Sequence, residues 1–327
     1  MADTRSLFVG CSCYAPGVKP VSVAIVGAGG LGTALAERLA GAGHRIAEIV
    51  IRNERSSVGT AKRLAKRVDA QLATLHSAEL TADLVWFCVP DSEISTAPES
   101  LFGHNWKGKI AVHSSGVLGS DVLAVLRRKG AHIASVHPLM TFVRGSVPQL
   151  QGVPFAIEGD PVALSIVRRV IRDLGGESVP IRKVDKIAYH AFATMVCPLL
   201  VSLFAAAERT AALAGMSATE ARRRMMPILR QTLANYERLG PAGAFSGPVV
   251  RGDVETVREH LRALAEAPAA QGAYLGLAQA ALEYLPSRNT EETRELLREI
   301  TSGKTRRNAR RTDRASTRSA LRNRKSR

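Results

Sequence analysis

Hydrophobic residues recur along this chain in two rhythms, and the change between them falls near residue 180. In the first half they form short unbroken runs at 21–26 (VSVAIV), 46–51, 84–89, 110–113, 133–136 and 153–157. Apolar, β-branched runs of this length predict strands buried on both faces of a parallel sheet. Helical spacing at 33–41, 118–129 and 161–174 alternates with them. Such alternation predicts an α/β fold, a doubly wound parallel sheet whose ligands sit beyond the carboxyl ends of the strands.

After Pro180 the strand pattern stops. Residues 185–214 read as one long apolar helix bent at Pro198, because proline removes a ladder bond and crowds the preceding turn. Ser217 and Glu220 form a capping box for a helix to Leu239, and Asp253 caps another over 254–265. Segments 271–284 and 291–300 complete an all-α C-terminal domain. The expected divisions are an extension over 1–20, the α/β domain over 21–182, the helical domain over 183–302 and a tail over 303–327. Residues 187–207 contain no Asp, Glu, Lys or Arg, enough in length for a membrane span of about 20 residues. His190, Pro198 and the many alanines favour instead a buried central helix, with no membrane.

The turn after the first strand narrows the function. Gly27, Gly29, Gly30, Leu31 and Gly32 give GAGGLG less its alanine, and Gly27, Gly29 and Gly32 fill the G-x-G-x-x-G pattern. Between a buried strand and a helix, these glycines predict a tight turn, close approach of backbone to a pyrophosphate, and close helix packing. The helix N-terminus adds free N–H groups for phosphate. The pattern predicts a Rossmann dinucleotide site. An acidic residue would end the second strand in an NAD site; here it reads Arg52, Asn53, Glu54, Arg55, Ser56. Arg52 and Arg55 suit a 2′-phosphate, with Asn53 and Ser56 as polar partners, so NADP is expected and NAD, held through Glu54, is the alternative. Val89 and Pro90, after the 84–89 run, lie on the same expected ligand edge.

Charge changes this picture less than its size suggests. The formal net charge is +16, but eleven Lys or Arg against one Asp lie in 303–327. That tail has too little apolar surface to fold and is expected to be disordered. Contact between it and nucleic acid would be sequence-independent and salt-dependent. Four scattered cysteines make neither a disulfide framework nor a metal site, and the apolar stretch at 7–11 is too short for an export signal. A reducing, cytoplasmic setting without metal is expected.

Hydride transfer needs a proton donor or acceptor near the nicotinamide, and histidine suits neutral pH. His137 follows a strand, on the ligand edge. His190 shares a helix face with Lys186, four residues earlier. Ser114 and Ser115 are candidates for a substrate carboxylate, or else simple helix caps. Arg251, within 246–253, is a candidate carboxylate ligand in what also reads as a Gly-Pro turn before the Asp253 cap. His113 reads as packed, and neither Cys88 nor Cys197 has a setting that activates a thiol.

Over residues 20–300 the chain resembles a family of oxidoreductases built from a Rossmann-like domain and the domain of unknown function 2520. The resemblance rests on VAIVGAGGLGTALA, HSSG at 113–116, HPL at 137–139, DKIAYHA at 185–191 and FSGPVVRGDVETVREHL at 245–261. It implies a nicotinamide-binding fold and a helical dimerisation domain, hence a homodimer, but no substrate. The layout is also similar to pyrroline-carboxylate reductases, β-hydroxyacid dehydrogenases and prephenate dehydrogenases. Likeness to prephenate dehydrogenases implies that His137, followed by Pro138, hydrogen-bonds a substrate hydroxyl. Likeness to β-hydroxyacid dehydrogenases implies that Lys186 is the acid/base, although this chain has His190 where those enzymes place asparagine. The reading is an NADP-dependent oxidoreductase for a small carboxylated metabolite, a hydroxy/keto acid or an amine/imine. The alternative is a non-catalytic NADP sensor whose basic tail meets an acidic partner.

Overall fold

The computed structural model describes residues 20–52, 55–288 and 290–301. The terminal segments, and Asn53 and Glu54, lie outside the described residues. The chain divides into two compact units, one ending at Cys197 and the other beginning at Pro198.

In chain order the first unit runs β1 (Ser22–Val26), α1 (Gly30–Gly41), β2 (Arg45–Ile51), α2 (Arg55–Arg67), β3 (Gln71–Thr74), β4 (Leu84–Phe87), α3 (Thr96–Ser100), β5 (Ile110–His113), α4 (Ala124–Arg127), β6 (His132–Pro138), β7 (Pro154–Gly159), α5 (Pro161–Asp173), β8 (Glu177–Pro180) and α6 (Lys186–Val196). The strands form one sheet in the order β3-β2-β1-β4-β5-β6-β7-β8. Its centre is parallel, and the chain reverses direction across the sheet between β1 and β4, leaving a crevice at their carboxyl ends. One departure from the all-parallel expectation is β7, which runs antiparallel to β6, with His137 opposite Ala156. The physical reason is the connection: 139–153 contains no helix that could cross over a face of the sheet.

Alternation along β1 sends its side chains to two cores. Val23 and Ile25 pack with Leu35 and Leu39 of α1, Leu64 of α2 and Val167 and Ile171 of α5. Ala24 and Val26 pack on the other face with Phe87, Leu101, Trp106 and Leu126. Burying each such Leu or Ile stabilises the fold by roughly 1.5–3 kcal/mol. The helix expected over 118–129 is instead a short 3-10 turn, Ser120–Leu123, followed by α4. The Ser120 N–H and hydroxyl are both bonded to the buried Glu158 carboxylate, at 2.6 and 2.8 Å, which fixes that turn to β7.

Among the described residues the second unit has helices and no strand: α7 (Pro198–Leu213), α8 (Ala218–Ala244), α9 (Pro248–Arg251), α10 (Val254–Ala263), α11 (Pro268–Tyr284) and α12 (Thr290–Thr301). Ser217 Oγ accepts from Glu220 N at 3.2 Å and Asp253 Oδ1 from Thr256 N at 3.1 Å, so both expected caps form. Gly240, at φ 68°, breaks α8 near its end. The long apolar helix is interrupted at Cys197, just before Pro198. Its burial was expected and is not found: no residue over 187–213 is buried in this chain. By length and composition, Lys183–Leu213 is apolar enough to cross a membrane.

Candidate functional site

Two clusters lie at the carboxyl edge of the first unit's sheet. The first is a cleft of about 280 Å³ where β1 meets β4, lined by Gly27, Gly29, Arg52, Val89 and Pro90 among others. Gly27 has φ +107°, and a Cβ there would come within 2.6 Å of the Cys88 carbonyl oxygen. A Cβ at Gly32 would overlap the Gly27 carbonyl, and one at Gly30 would overlap that of Phe142. These three glycines are therefore required by the protein's own packing. Gly29 differs. Its φ of −73° is open to any residue, and a Cβ there would meet nothing within 4 Å. The fold does not need glycine at that point, so the free space suits a ligand approaching the backbone. Beside it begins α1, whose first N–H groups lack intrahelical partners and favour an anion.

The donor set around that space also fits a phosphorylated dinucleotide. Arg52 reaches the cleft and pairs with Glu93 at 3.0 Å. Arg55 and Ser56 open α2, directly after β2; Asn53 lies outside the described residues. Leu31, the second residue of α1, is half-buried and packs its side chain against the core, not in the cleft.

The second cluster gathers around Lys186, which is only 1% exposed. Its Nζ donates to Ser135 Oγ at 2.8 Å and to the Ser115 carbonyl at 3.1 Å. Both acceptors are neutral, and no carboxylate pairs with this amine among the described residues. Burial lowers its pKa from the ordinary lysine value. Ser115 is committed to structure: its hydroxyl donates to Asp91 at 2.8 Å and accepts from the N–H groups of Val117 and Leu118. Ser114 Oγ accepts from the Trp86 indole at 2.8 Å, which leaves its own proton to donate.

His137 and His190 come together, ring centroids 5.9 Å apart, and Tyr189 lies edge-on to His137 at 5.7 Å. Gly116 makes this possible, since a Cβ there would overlap His190 and come within 2.9 Å of His137 Nε2. Burial first, then the positive charges of Lys186 and His190, pushes His137 down to about 4, so it is neutral at neutral pH. His137 Nδ1 and the Tyr189 hydroxyl are both buried without a hydrogen-bond partner among the described residues. His113 is packed, its Nε2 near the Gly119 carbonyl at 3.1 Å. Arg251 lies in the second unit, exposed at the end of α9.

Asp91, Ser135, Trp86 and Tyr189 were not among the sequence candidates. Asp91 had one signal, its place directly after Val89 and Pro90 at a strand end; the other three are apolar-run or helix positions without one.

A Rossmann-like domain is matched over residues 15–138 and the domain of unknown function DUF2520 over 153–281. The chain carries both domains. The expected resemblance is thereby met along most of the chain. In fold it is similar to a Bacteroides fragilis protein described as a candidate NADP oxidoreductase, with 23% identity, a TM-score of 0.69 and coverage of 80% of this chain and 97% of that one. A Thermotoga maritima protein gives 25%, 0.61, 80% and 97% by the same measures. A reductive aminase from Aspergillus terreus, solved with NADPH and ethyl-5-oxohexanoate, gives 18%, 0.57, 81% and 94%. No curated protein matches the sequence.

Proposed function

We propose that this protein is an NADP-dependent oxidoreductase acting on a small carboxylated metabolite, a hydroxy/keto acid or an amine/imine. The observation that carries the reading is Gly29, a glycine that the fold itself does not require, beside a helix N-terminus at the switch point of the sheet. Gly27 and Gly29 would admit the diphosphate and Arg52 the 2′-phosphate, with Arg55, Ser56 and Asn53 following it in sequence and Val89 and Pro90 flanking the cleft. Two of the similar folds are described as a candidate NADP oxidoreductase and as a reductive aminase solved with NADPH, which supports the same choice of dinucleotide.

When bound, the nicotinamide supplies or takes the hydride. The protein's own part is to bind, orient and handle the proton. His137, neutral across the physiological range, suits hydrogen bonding to the reacting oxygen or nitrogen, and it or His190 beside it would handle the proton. Lys186, held by two neutral acceptors, adds positive potential that favours an anionic substrate, and Ser114 has a hydroxyl proton to offer it. The structural commitments of Ser115 make it a positioning residue in this reading. Arg251 remains the proposed carboxylate ligand from the helical unit.

A homodimer through the helical unit belongs to the same proposal. In α7 Leu199 and Val201, and in α8 Ile228, Leu233 and Tyr236, are exposed apolar side chains, each more than half accessible. A cytoplasmic setting is retained from the sparse cysteines.

The test is titration of the purified protein with NADPH and NADH, followed by NADPH oxidation against pooled keto acids and imines. Tighter binding of NADPH and turnover with one pool are expected. Absence of binding to either dinucleotide at millimolar concentration overturns the reading, and binding without any turnover favours a sensor.

A further inference from the structure

We infer that Arg144 is a clamp for the dinucleotide's diphosphate, held over the glycine loop by the strap that follows His137 and Pro138. The inference rests on the dinucleotide reading above and adds a residue to it. Arg144 lines the same cleft as Gly27, Gly29 and Arg52, although it lies more than a hundred residues from the glycine motif. Unlike Arg52, which is paired with Glu93, Arg144 has no side-chain hydrogen bond or ion pair among the described residues. A free guanidinium in a cleft walled by backbone glycines is matched to a phosphate group, which it can bind through two parallel N–H donors.

The strap is built to hold this residue there. Its base is fixed by the Leu139 N–H bonding to the Pro154 carbonyl at 2.8 Å. Its far arm is gripped from α1 by Arg38, which donates to the carbonyls of Pro148 at 2.9 Å and Val147 at 2.5 Å. Between these anchors a turn closes with Ser146 N–H to Val143 O at 3.1 Å, and Gly145 takes the positive φ, +82°, that its third position demands. Arg144 occupies the second position of that turn. Two residues earlier, the Phe142 carbonyl packs so closely on Gly30 that no side chain fits there, which seats the strap on the first residue of α1. The phosphate-facing end of α1 and the turn bearing Arg144 are thus held together by direct packing. That adjacency favours the diphosphate, since the 2′-phosphate already has Arg52 as its ligand in the reading above.

The experiment compares wild-type protein with Arg144→Gln and Arg144→Lys by calorimetric titration with NADPH, NADH, ADP-ribose and adenosine 2′,5′-bisphosphate. Arg144 is exposed, so the variants should melt like the wild type, which thermal unfolding checks. A loss of about tenfold or more is expected for Arg144→Gln, the scale of one charge-assisted hydrogen bond, and it should be equal for NADPH, NADH and ADP-ribose. Adenosine 2′,5′-bisphosphate, which lacks the diphosphate, should bind unchanged, and Arg144→Lys should recover part of the loss. Unchanged affinity for all four ligands overturns the inference, and so does a loss confined to NADPH and adenosine 2′,5′-bisphosphate, which would move Arg144 to the 2′-phosphate. Should wild-type protein bind none of them, the dinucleotide reading falls first and this clamp with it.

Discussion

Leu39 in α1 and Leu233 in α8 are leucines on amphipathic helices of one chain, yet the first is fully buried and the second is 62% exposed. In the α/β unit α1, α2 and α5 lie on the sheet, and the core on that face absorbs their apolar side chains, with a second core on the other face. The helical unit has no sheet. Its buried clusters are small, and α7 and α8 leave a row of large apolar groups in solvent. The sheet and the helices packed on it therefore hold a complete structural solution, with the chemistry at the sheet's edge, while α6, α7 and α8 expose surface whose burial requires something further. On our reading that is a second copy of the chain.

The comparison breaks most easily by placing the same substitution in both units. Leu39→Asp buries an unpaired charge in the core and removes a filled apolar site, so it should cost at least about 4 kcal/mol and leave no cooperative melting transition for the α/β unit. Leu233→Asp should leave the stability of a single chain within about 0.5 kcal/mol and shift sedimentation towards monomer. Equal destabilisation by the two, or an unchanged sedimentation profile for Leu233→Asp, would contradict the contrast.

A sharper version lies within the glycine loop. Gly32→Ala should destabilise the protein by about 3 kcal/mol in chemical denaturation, because its methyl has only the Gly27 carbonyl to displace. Gly29→Ala should leave the denaturation midpoint in place and weaken dinucleotide binding instead. If Gly29→Ala melted early, the open space beside it would belong to the fold and not to a ligand.

Much of the fold was legible because buried strands write themselves as apolar runs. The two strands the sequence did not announce, β3 and β8, are the two edges of the sheet, where half-exposed positions admit residues such as Gln71 and Glu177. The α2 helix is not among the helices expected above, although Ala61, Leu64, Ala65 and Val68 repeat at helical spacing. The antiparallel β7 was recoverable, since a long connection without helical spacing cannot make a parallel crossover. The site was legible only in its single-residue candidates. Lys186 finds Ser135 fifty-one residues away and Ser115 seventy-one residues away, and nothing local to any of them reports that meeting. Nor does the sequence reveal that the apolar helix around Pro198 is uncovered, because composition is the same for a helix buried by its own chain and one awaiting a partner.

Ser135→Ala should be felt less than the glycine change. It removes one of two acceptors from a buried amine, at a cost of roughly 1–3 kcal/mol, and lets Lys186 move from its place beside the histidines. Turnover should fall while NADPH affinity holds; if affinity fell equally, Lys186 would be part of the dinucleotide cleft rather than of the second cluster.

Acid gives the smallest effect and the most specific one. His44, His113 and His137, whose pKa values burial lowers, all lie in the α/β unit, with His113 and His137 each held at about 4. For a histidine depressed in this way the unfolded chain binds the proton more readily. Its stabilising contribution is therefore complete above the ordinary value near 6.5 and declines as pH falls from there towards 4. Stability measured by denaturation should fall steadily over that window. His137→Gln, which cannot titrate, should show a shallower decline, by about 1 kcal/mol at one pH unit below the ordinary histidine value. Were the two curves parallel, His137 would carry its charge in the folded protein, and its assignment as a neutral hydrogen-bonding ring would fail, leaving the electrostatic difference between the two units resting on His113 and His44.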